Sequence, residues 1–400
     1  MSNQNYDIAI IGGGIVGIAA GMILSQSGYT VIILEAENRL AAHQTGNNSG
    51  VIHSGVYYKP GSSKAKNCVD GRELLYKFCD ENNIKYDKCG KIIVALDEKE
   101  IPILDEIERR GIANGLKGLK RLSKEEIKEY EHFVTGIKGL FVPDTGIVDY
   151  ISVTNKFASK ILEWGGEIKT NCRFLSIRRF QDDLFLETTS GDIKCKLLIN
   201  CGGLQSDRIA AKCGINPELQ IIPFRGEYYK LKTEKEYLVK NLIYPVPDPK
   251  FPFLGVHFTR MINGGIEAGP NAVLAFKREG YSKKDFSLKD IVKLITYSGF
   301  WNMAGKYYRT GFGEFTRSFS KSKFVWALQK LVPEINYDDI YPAGAGVRAQ
   351  AVDPYGKLLD DFRIIETKDM IHVLNAPSPA ATASLSIGKS ISDKAMQKLK

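Results

Sequence analysis

Much of what would mark a secreted, metal-binding or membrane-spanning protein is missing from this sequence. Its seven cysteines (Cys68, Cys79, Cys89, Cys172, Cys195, Cys201 and Cys213) are odd in number and scattered, with no Cys-x-x-Cys pair and no histidine at zinc-ligand spacing. A disulfide framework and a zinc finger are thereby excluded, reduced thiols in a cytoplasmic setting are expected, and no metal is expected. The first residues are polar and lead straight into an apolar strand, so no export signal is expected. No apolar run approaches the roughly 20 residues needed to cross a bilayer. Lys and Arg outnumber Asp and Glu, 55 to 46, for a formal net charge of +9. The basic residues are nevertheless spread along the chain, without a run of about five or six like charges and without a nucleic-acid motif, so no nucleic-acid partner is expected. Histidine is scarce, at five residues, and no internal repeat or low-complexity tract stands out.

What is present is an ordinary globular composition, 44% hydrophobic and 25% charged over 400 residues. That length exceeds the roughly 250–300 residues that one compact core usually reaches, so two lobes are expected. The sharpest signal lies at the start. A buried strand, Asp7-Ile8-Ala9-Ile10-Ile11, runs into Gly12-Gly13-Gly14-Ile15-Val16-Gly17, then into a helical stretch over residues 15–27, then into a second strand that ends at Glu35. This is the dinucleotide fingerprint in its full βαβ context. Gly12 permits the tight turn, Gly14 lets a pyrophosphate approach the backbone, and Gly17 lets the helix pack close to the sheet. The helix aims its N-terminal amides, beginning with Ile15 and Val16, at the phosphates. Glu35 can accept hydrogen bonds from the ribose hydroxyls, and its charge disfavours a 2′-phosphate, hence NADP. The fingerprint by itself leaves FAD and NAD both open.

The residues after Glu35 separate the two. Residues 39–55 form a long small-polar segment where a nicotinamide domain would begin its next αβ unit. Here the sequence resembles the D-amino-acid oxidase superfamily of FAD enzymes and, within it, the L-2-hydroxyglutarate dehydrogenases and oxidases. The likeness is carried by Asn48-Ser49-Gly50-Val51-Ile52-His53-Ser54-Gly55, Pro223-Phe224-Arg225-Gly226-Glu227-Tyr228-Tyr229, Gly255-Val256-His257-Phe258-Thr259, Gly269-Pro270-Asn271-Ala272-Val273, Gly344-Ala345-Gly346-Val347-Arg348-Ala349-Gln350 and Ser378-Pro379-Ala380-Ala381-Thr382-Ala383-Ser384. These motifs span nearly the whole chain.

The resemblance implies an α/β fold: a Rossmann-like FAD-binding domain, discontinuous over residues 1–75, 147–214 and 340–400, with an inserted antiparallel-sheet α+β substrate domain over 76–146 and 215–339. The texture agrees, because the two inserted stretches are richer in aromatic and charged residues and lack Gly-rich crossovers. For the cofactor, the resemblance and the Gly-rich turns together point to FAD contacts from Thr45, Asn48, Ser49 and Gly50, from the turn Gly202-Gly203, and from Pro379, Ala380, Ala381 and Thr382. Non-covalent FAD is expected. The segment at 290–315 alternates aromatics such as Phe300 and Trp301 with Lys and Arg, including Arg309. It reads either as a helix packed on the second sheet or as a surface for peripheral association with the inner face of the cell membrane and a quinone.

Oxidation of an alcohol carbon beside a carboxylate sends a hydride to flavin N5, and the protein supplies a base and cations. His53 and His257 are the candidate bases, since histidine titrates near neutral pH; His43, His132 and His372 have no comparable context. A small dicarboxylate calls for arginine forks, with Arg348 leading and Arg225, Arg260 and Lys277 following. The implied reaction is L-2-hydroxyglutarate to 2-oxoglutarate, with electrons passing to a quinone or to oxygen. A glycine- or sarcosine-type amino-acid oxidase and a non-catalytic FAD-binding protein remain as alternatives.

Overall fold

The computed structural model describes residues 5–248 and 255–400, apart from the side chains of residues 309, 310 and 312. The opening residues 1–4 and the Arg309 side chain named above therefore lie outside the described residues. The first lobe is built on a parallel sheet in the order Glu167–Lys169, Val31–Leu34, Asn5–Ile11, Ile193–Asn200, Met370–Asn375. Its central stretches, such as Val31–Leu34, read as continuous apolar runs because both faces are covered there, as parallel sheets require. One face carries the helices Ile15–Gln26, Tyr150–Glu163 and Ser384–Lys398, which share a core with Ile8, Ile10, Ile33 and Ile199. The other face is covered by the antiparallel strands Phe174–Phe180 and Asp183–Thr188 and the short helix Ser206–Lys212. The C-terminal helix closes on the first helix through Gly388, where a Cβ would press on the backbone of Ala19 and Ala20.

The second lobe is a nine-stranded sheet. Two long strands, Gln220–Leu231 and Ile340–Val352, pair antiparallel along almost their whole length. The sheet continues through Ile266–Gly269, His257–Arg260, Leu242–Pro245, Lys91–Ala95, Lys138–Val142 and Lys120–Ser123. Every pairing is antiparallel except Leu242–Pro245 with Lys91–Ala95. The expected α/β class with a second, largely antiparallel lobe is what the chain forms. A small three-stranded sheet, Val51–Ile52 with Gly146–Val148 with Tyr86–Asp87, stitches the lobes together.

The sequence-drawn divisions at 75/76 and 146/147 fall inside elements, and the one at 340 places a strand with the other lobe. Residues 340–352, grouped by sequence with the FAD-binding segments, belong to the second sheet, because their partner strand is Gln220–Leu231. The division at 75/76 lies within helix Ser63–Glu81, which packs against the C-terminal helix at Gly71 and Ala383. The 290–315 segment folds as helices Leu288–Ile295 and Ser298–Phe319. They dock on the second sheet through Leu294 and Met303, packed with Ile222 and Val352, and Phe300 turns toward the same cluster. Their outer side leaves Leu288, Val292, Ile295, Trp301 and Tyr308 exposed. No helix among the described residues is long and apolar enough to cross a membrane.

Candidate active site

The phosphate loop is a backbone device. Gly12 sits at φ +112°, and a Cβ there would collide with the Cys201 carbonyl of the neighbouring strand. Gly17 comes so close to the Gly12 carbonyl that a side chain has no room. Gly14 differs: it caps helix Ile15–Gln26, and a Cβ there would meet only Thr45 Oγ1, at 3.4 Å, so its surroundings are open for a ligand. The helix has no acidic residue in its first turn, leaving its positive end unopposed. Glu35 is buried and ties the loop down: Oε2 accepts from Gly13 N at 2.7 Å and Oε1 from Glu37 N at 2.8 Å. Each oxygen keeps a second lone pair for a ribose hydroxyl.

One cavity of about 1090 Å³ runs from this loop to the second lobe. It exceeds the upper end of the roughly 300–1,000 Å³ common for small-molecule sites, as an extended dinucleotide plus a substrate requires. Gly12, Gly14, Ile15, Val16, Gly17, Glu35, Thr45, Asn48, Ser49, Gly202, Gly203, Pro379, Ala380, Ala381 and Thr382 line it. Gly50 does not; at φ +66° it makes the turn that lets its carbonyl accept from Val148 N at 2.8 Å. Thr382 joins the C-terminal loop to the early segment, because Oγ1 accepts from His53 N at 3.1 Å and pairs with Tyr150 Oη at 2.9 Å. The donor set fits FAD: unopposed amides for a pyrophosphate, an acid for the ribose, and a long passage toward the second lobe.

His53, His257 and Arg348 line the same cavity from the far side. His257 begins strand His257–Arg260, and its Nδ1 lies 2.9 Å from the Gly255 carbonyl. A carbonyl only accepts, so Nδ1 carries the proton and Nε2 presents a lone pair. Arg348 stands opposite Phe224 in the long two-stranded ribbon. Two of the other proposed cations are committed to partners, and the third lies off the cavity lining. Arg225 is ion-paired to Glu227 at 2.9 Å and donates to the Ser282 carbonyl, Arg260 pairs with Asp87 at 2.5 Å, and Lys277 is not among the lining residues.

Sequence reasoning passed over several lining residues. Tyr228 and Asn271 stood inside quoted motifs without a role, and Tyr244 had no motif; all three face the cavity. The signal available was strand alternation, which puts Tyr228, Gly226 and Phe224 on one face. His43, also given no role, stacks on Tyr281 and approaches Glu37 at 3.5 Å; donor atoms of His43, Glu37 and Glu279 lie within 4.8 Å of one another. Burial depresses both cavity histidines, His53 to about 3 and His257 to about 4, with Lys91 reinforcing the effect in each. Both imidazoles are therefore neutral at physiological pH. Burial likewise lowers the Arg348 guanidinium and raises the Tyr228 and Tyr244 phenols.

A cleft that holds a dinucleotide between a Rossmann-like lobe and an antiparallel lobe defines a class, and the chain belongs to it: residues 7–394 match the FAD dependent oxidoreductase family. Within that class it belongs with the L-2-hydroxyglutarate dehydrogenases. It is 51% identical to the L-2-hydroxyglutarate dehydrogenase of Indibacter alkaliphilus over 99% of this chain and 100% of that protein. It is 45% identical to the mitochondrial enzyme of Homo sapiens, over 99% and 90% of the two chains, and 45% identical to an Escherichia coli relative, over 97% and 93%. Among solved structures it is similar to the FAD-bound L-α-glycerophosphate oxidase of Mycoplasma pneumoniae, with a TM-score of 0.81 at 22% identity over 98% of this chain and 95% of that one. Glycine oxidase from Bacillus cereus follows, with a TM-score of 0.71 at 16% identity over 98% and 95%. At these identities the two structures speak for the fold alone. The protein is an FAD-dependent oxidoreductase.

Proposed function

We propose that the protein oxidises L-2-hydroxyglutarate to 2-oxoglutarate and passes the electrons to a quinone or to oxygen. The observation that carries this reading is His257: a buried neutral imidazole, proton fixed on Nδ1 by Gly255, with Nε2 free in the cavity that also holds Arg348 and the phosphate loop. When bound, FAD supplies the hydride acceptor. His257 Nε2 takes the hydroxyl proton, and the carbon–hydrogen bonding pair leaves as hydride, which accounts for both electrons and both hydrogens. Arg348 grips a carboxylate through its fork and sets the reacting carbon in place. His53, neutral and held through its backbone by Thr382, walls the site.

The local charge favours a hydroxy dicarboxylate over an amino acid. Lys64 and Lys91 act on His53, and Arg348 acts on Lys64, so a substrate ammonium would enter a cationic surrounding. Mixing the FAD-loaded protein anaerobically with L-2-hydroxyglutarate, D-2-hydroxyglutarate, sarcosine or glycine tests the reading, and bleaching of the flavin by the L-hydroxy acid alone is expected. Bleaching by glycine or sarcosine instead would select the amino-acid oxidase, and no bleaching at all would select the non-catalytic alternative. Reoxidation by oxygen or by a quinone analogue then identifies the acceptor.

Peripheral membrane contact is the second element of the proposal. Leu288, Val292 and Ile295 form one exposed stripe, and Trp301 and Tyr308 another, with Lys289, Lys293 and Lys306 beside them. Because Phe300 packs inward, Val292→Ser with Trp301→Ser is the informative variant. It is expected to abolish co-sedimentation with anionic vesicles, and undiminished binding would remove the idea.

A further inference from the structure

Strand Lys91–Ala95 is apolar except for its first residue, yet that residue, Lys91, is only 1% exposed. A buried ammonium is costly unless something compensates it. Among the described residues no carboxylate lies within ion-pair distance of Lys91. Its contacts are ring faces: Nζ stands 4.4 Å from the Tyr57 ring centre and 4.8 Å from that of Tyr244. The Tyr244 ring is in turn stacked on His257, centres 4.0 Å apart and planes at 21°. Tyr57 lies four residues beyond His53 on the same segment. Lys91 thus reaches His257 through one aromatic ring and acts on His53 electrostatically, without itself lining the cavity.

We propose that Lys91 is a positioning residue for the oxidation, an amine held against Tyr57 and Tyr244 whose charge adds to burial in opposing a proton on His257 and His53 and so extends the reaction toward acid. This rests on the reading of His257 as the base. Burial brings the Lys91 amine down to about 7. The groups facing this cluster are Tyr57, Tyr58, Lys64 and Cys68 from the segment after His53, Tyr244 from its strand, Tyr228 from the long ribbon, and the two histidines. Cys68 and the phenols are held in their neutral forms by burial, so the charges acting on the histidines are those of Lys91 and Lys64. Below about pH 7 Lys91 is cationic and opposes a proton on His257, leaving Nε2 free down to about pH 4. Above that, His257 is unprotonated whatever Lys91 does. The device therefore widens the working range toward acid.

The test uses the FAD-loaded protein with ¹³C-labelled histidine, where five resonances are expected and His257 is assigned by its loss in His257→Gln. Lys91→Met removes the charge at nearly constant volume, and Lys91→Arg keeps it at every pH. Lys91→Met is expected to raise the His257 midpoint by about one unit, and Lys91→Arg to leave it at or below its original value. In anaerobic flavin reduction the acid limb should move with the midpoint. An unmoved His257 midpoint in Lys91→Met protein with unaltered flavin absorbance overturns the proposal. Should Lys91→Met fail to fold, ¹³Cε titration of lysine in the unsubstituted protein decides: a Lys91 amine that is still cationic at the His257 midpoint supports the proposal, and one already neutral there overturns it. The histidine titration needs no substrate, so it stands apart from whether L-2-hydroxyglutarate bleaches the flavin.

Discussion

Replacing Glu35 by Gln perturbs the phosphate loop at the point where it is electrostatically tied. In the folded chain both carboxylate oxygens are acceptors, Oε2 from Gly13 N at 2.7 Å and Oε1 from Glu37 N at 2.8 Å. An amide offers only one acceptor atom. Whichever way the new side-chain amide is turned, its NH₂ group must confront one of the two backbone amides, which leaves a buried donor without a partner at about 1–3 kcal/mol. The bond that survives is no longer charge-assisted, and the acceptor capacity offered to the ribose is halved, which together cost about another 1–2 kcal/mol. Part of this falls on the free protein, since the Gly13 and Glu37 bonds exist without cofactor; the ribose share falls on binding. FAD affinity is therefore expected to drop by about 1–2 kcal/mol, roughly 5- to 30-fold. Titration of the apoprotein with FAD, followed by quenching of flavin fluorescence, measures the dissociation constant, and urea unfolding of the apoprotein separates the loop's own loss. A change in FAD affinity below threefold would refute the assignment of Glu35 to the ribose.

Three further predictions follow from other contacts. Arg348→Lys loses the fork that binds a carboxylate through two parallel bonds, so the substrate concentration for half-maximal flavin reduction should rise by about 100-fold while the flavin spectrum is retained; unchanged kinetics would show the carboxylate is held elsewhere. Thr382→Val removes the acceptor for His53 N and the partner of Tyr150 Oη, and urea unfolding should register a loss of about 1–3 kcal/mol; no loss would mean the contact is not formed in solution. His372 is wholly buried, pairs with Asn200 and has its pKa pushed down to about 4 by burial. Because the unfolded imidazole binds its proton first, near 6.5, the contribution is intact above that pH and is lost as pH falls to about 4, worth about 3 kcal/mol; His372→Asn should flatten the acid limb of stability against pH by that amount, and an unchanged slope would refute it.

The parts of the site that could be read from sequence are those built from neighbours in the chain. Gly12, Gly14, Gly17 and Glu35 act on one another within a single βαβ unit, so spacing alone encodes their geometry. Arg225 shows where motif context misleads. It lies in a quoted segment, but Glu227 two residues on shares its strand face and takes its charge, an outcome the i, i+2 spacing already allowed. Arg260 is different, because its partner Asp87 comes from a remote part of the chain, and no local pattern predicts that pairing. The boundary at 340 misplaces a strand for a related reason: Ile340–Val352 belongs with Gln220–Leu231 through hydrogen bonds between segments far apart in the chain, and the return of Gly-rich texture there resembles the cofactor lobe only in composition.

The same distinction explains why the base was left open between two histidines. His53 and His257 are alike in following an apolar residue, Ile52 and Val256, and each is neutral once buried. What separates them is the Gly255 carbonyl two residues before His257, which dictates the tautomer and leaves Nε2 as the free acceptor. Proton abstraction demands a lone pair aimed at the substrate, not merely a suitable pKa. A backbone carbonyl at 2.9 Å is thus the contact on which the proposed choice of His257 rests. A His257→Gln protein should accordingly keep FAD and bind the substrate while flavin reduction slows by about 10²–10⁴-fold; the same slowing in His53→Gln with His257 intact and unaffected would transfer the role to the other ring.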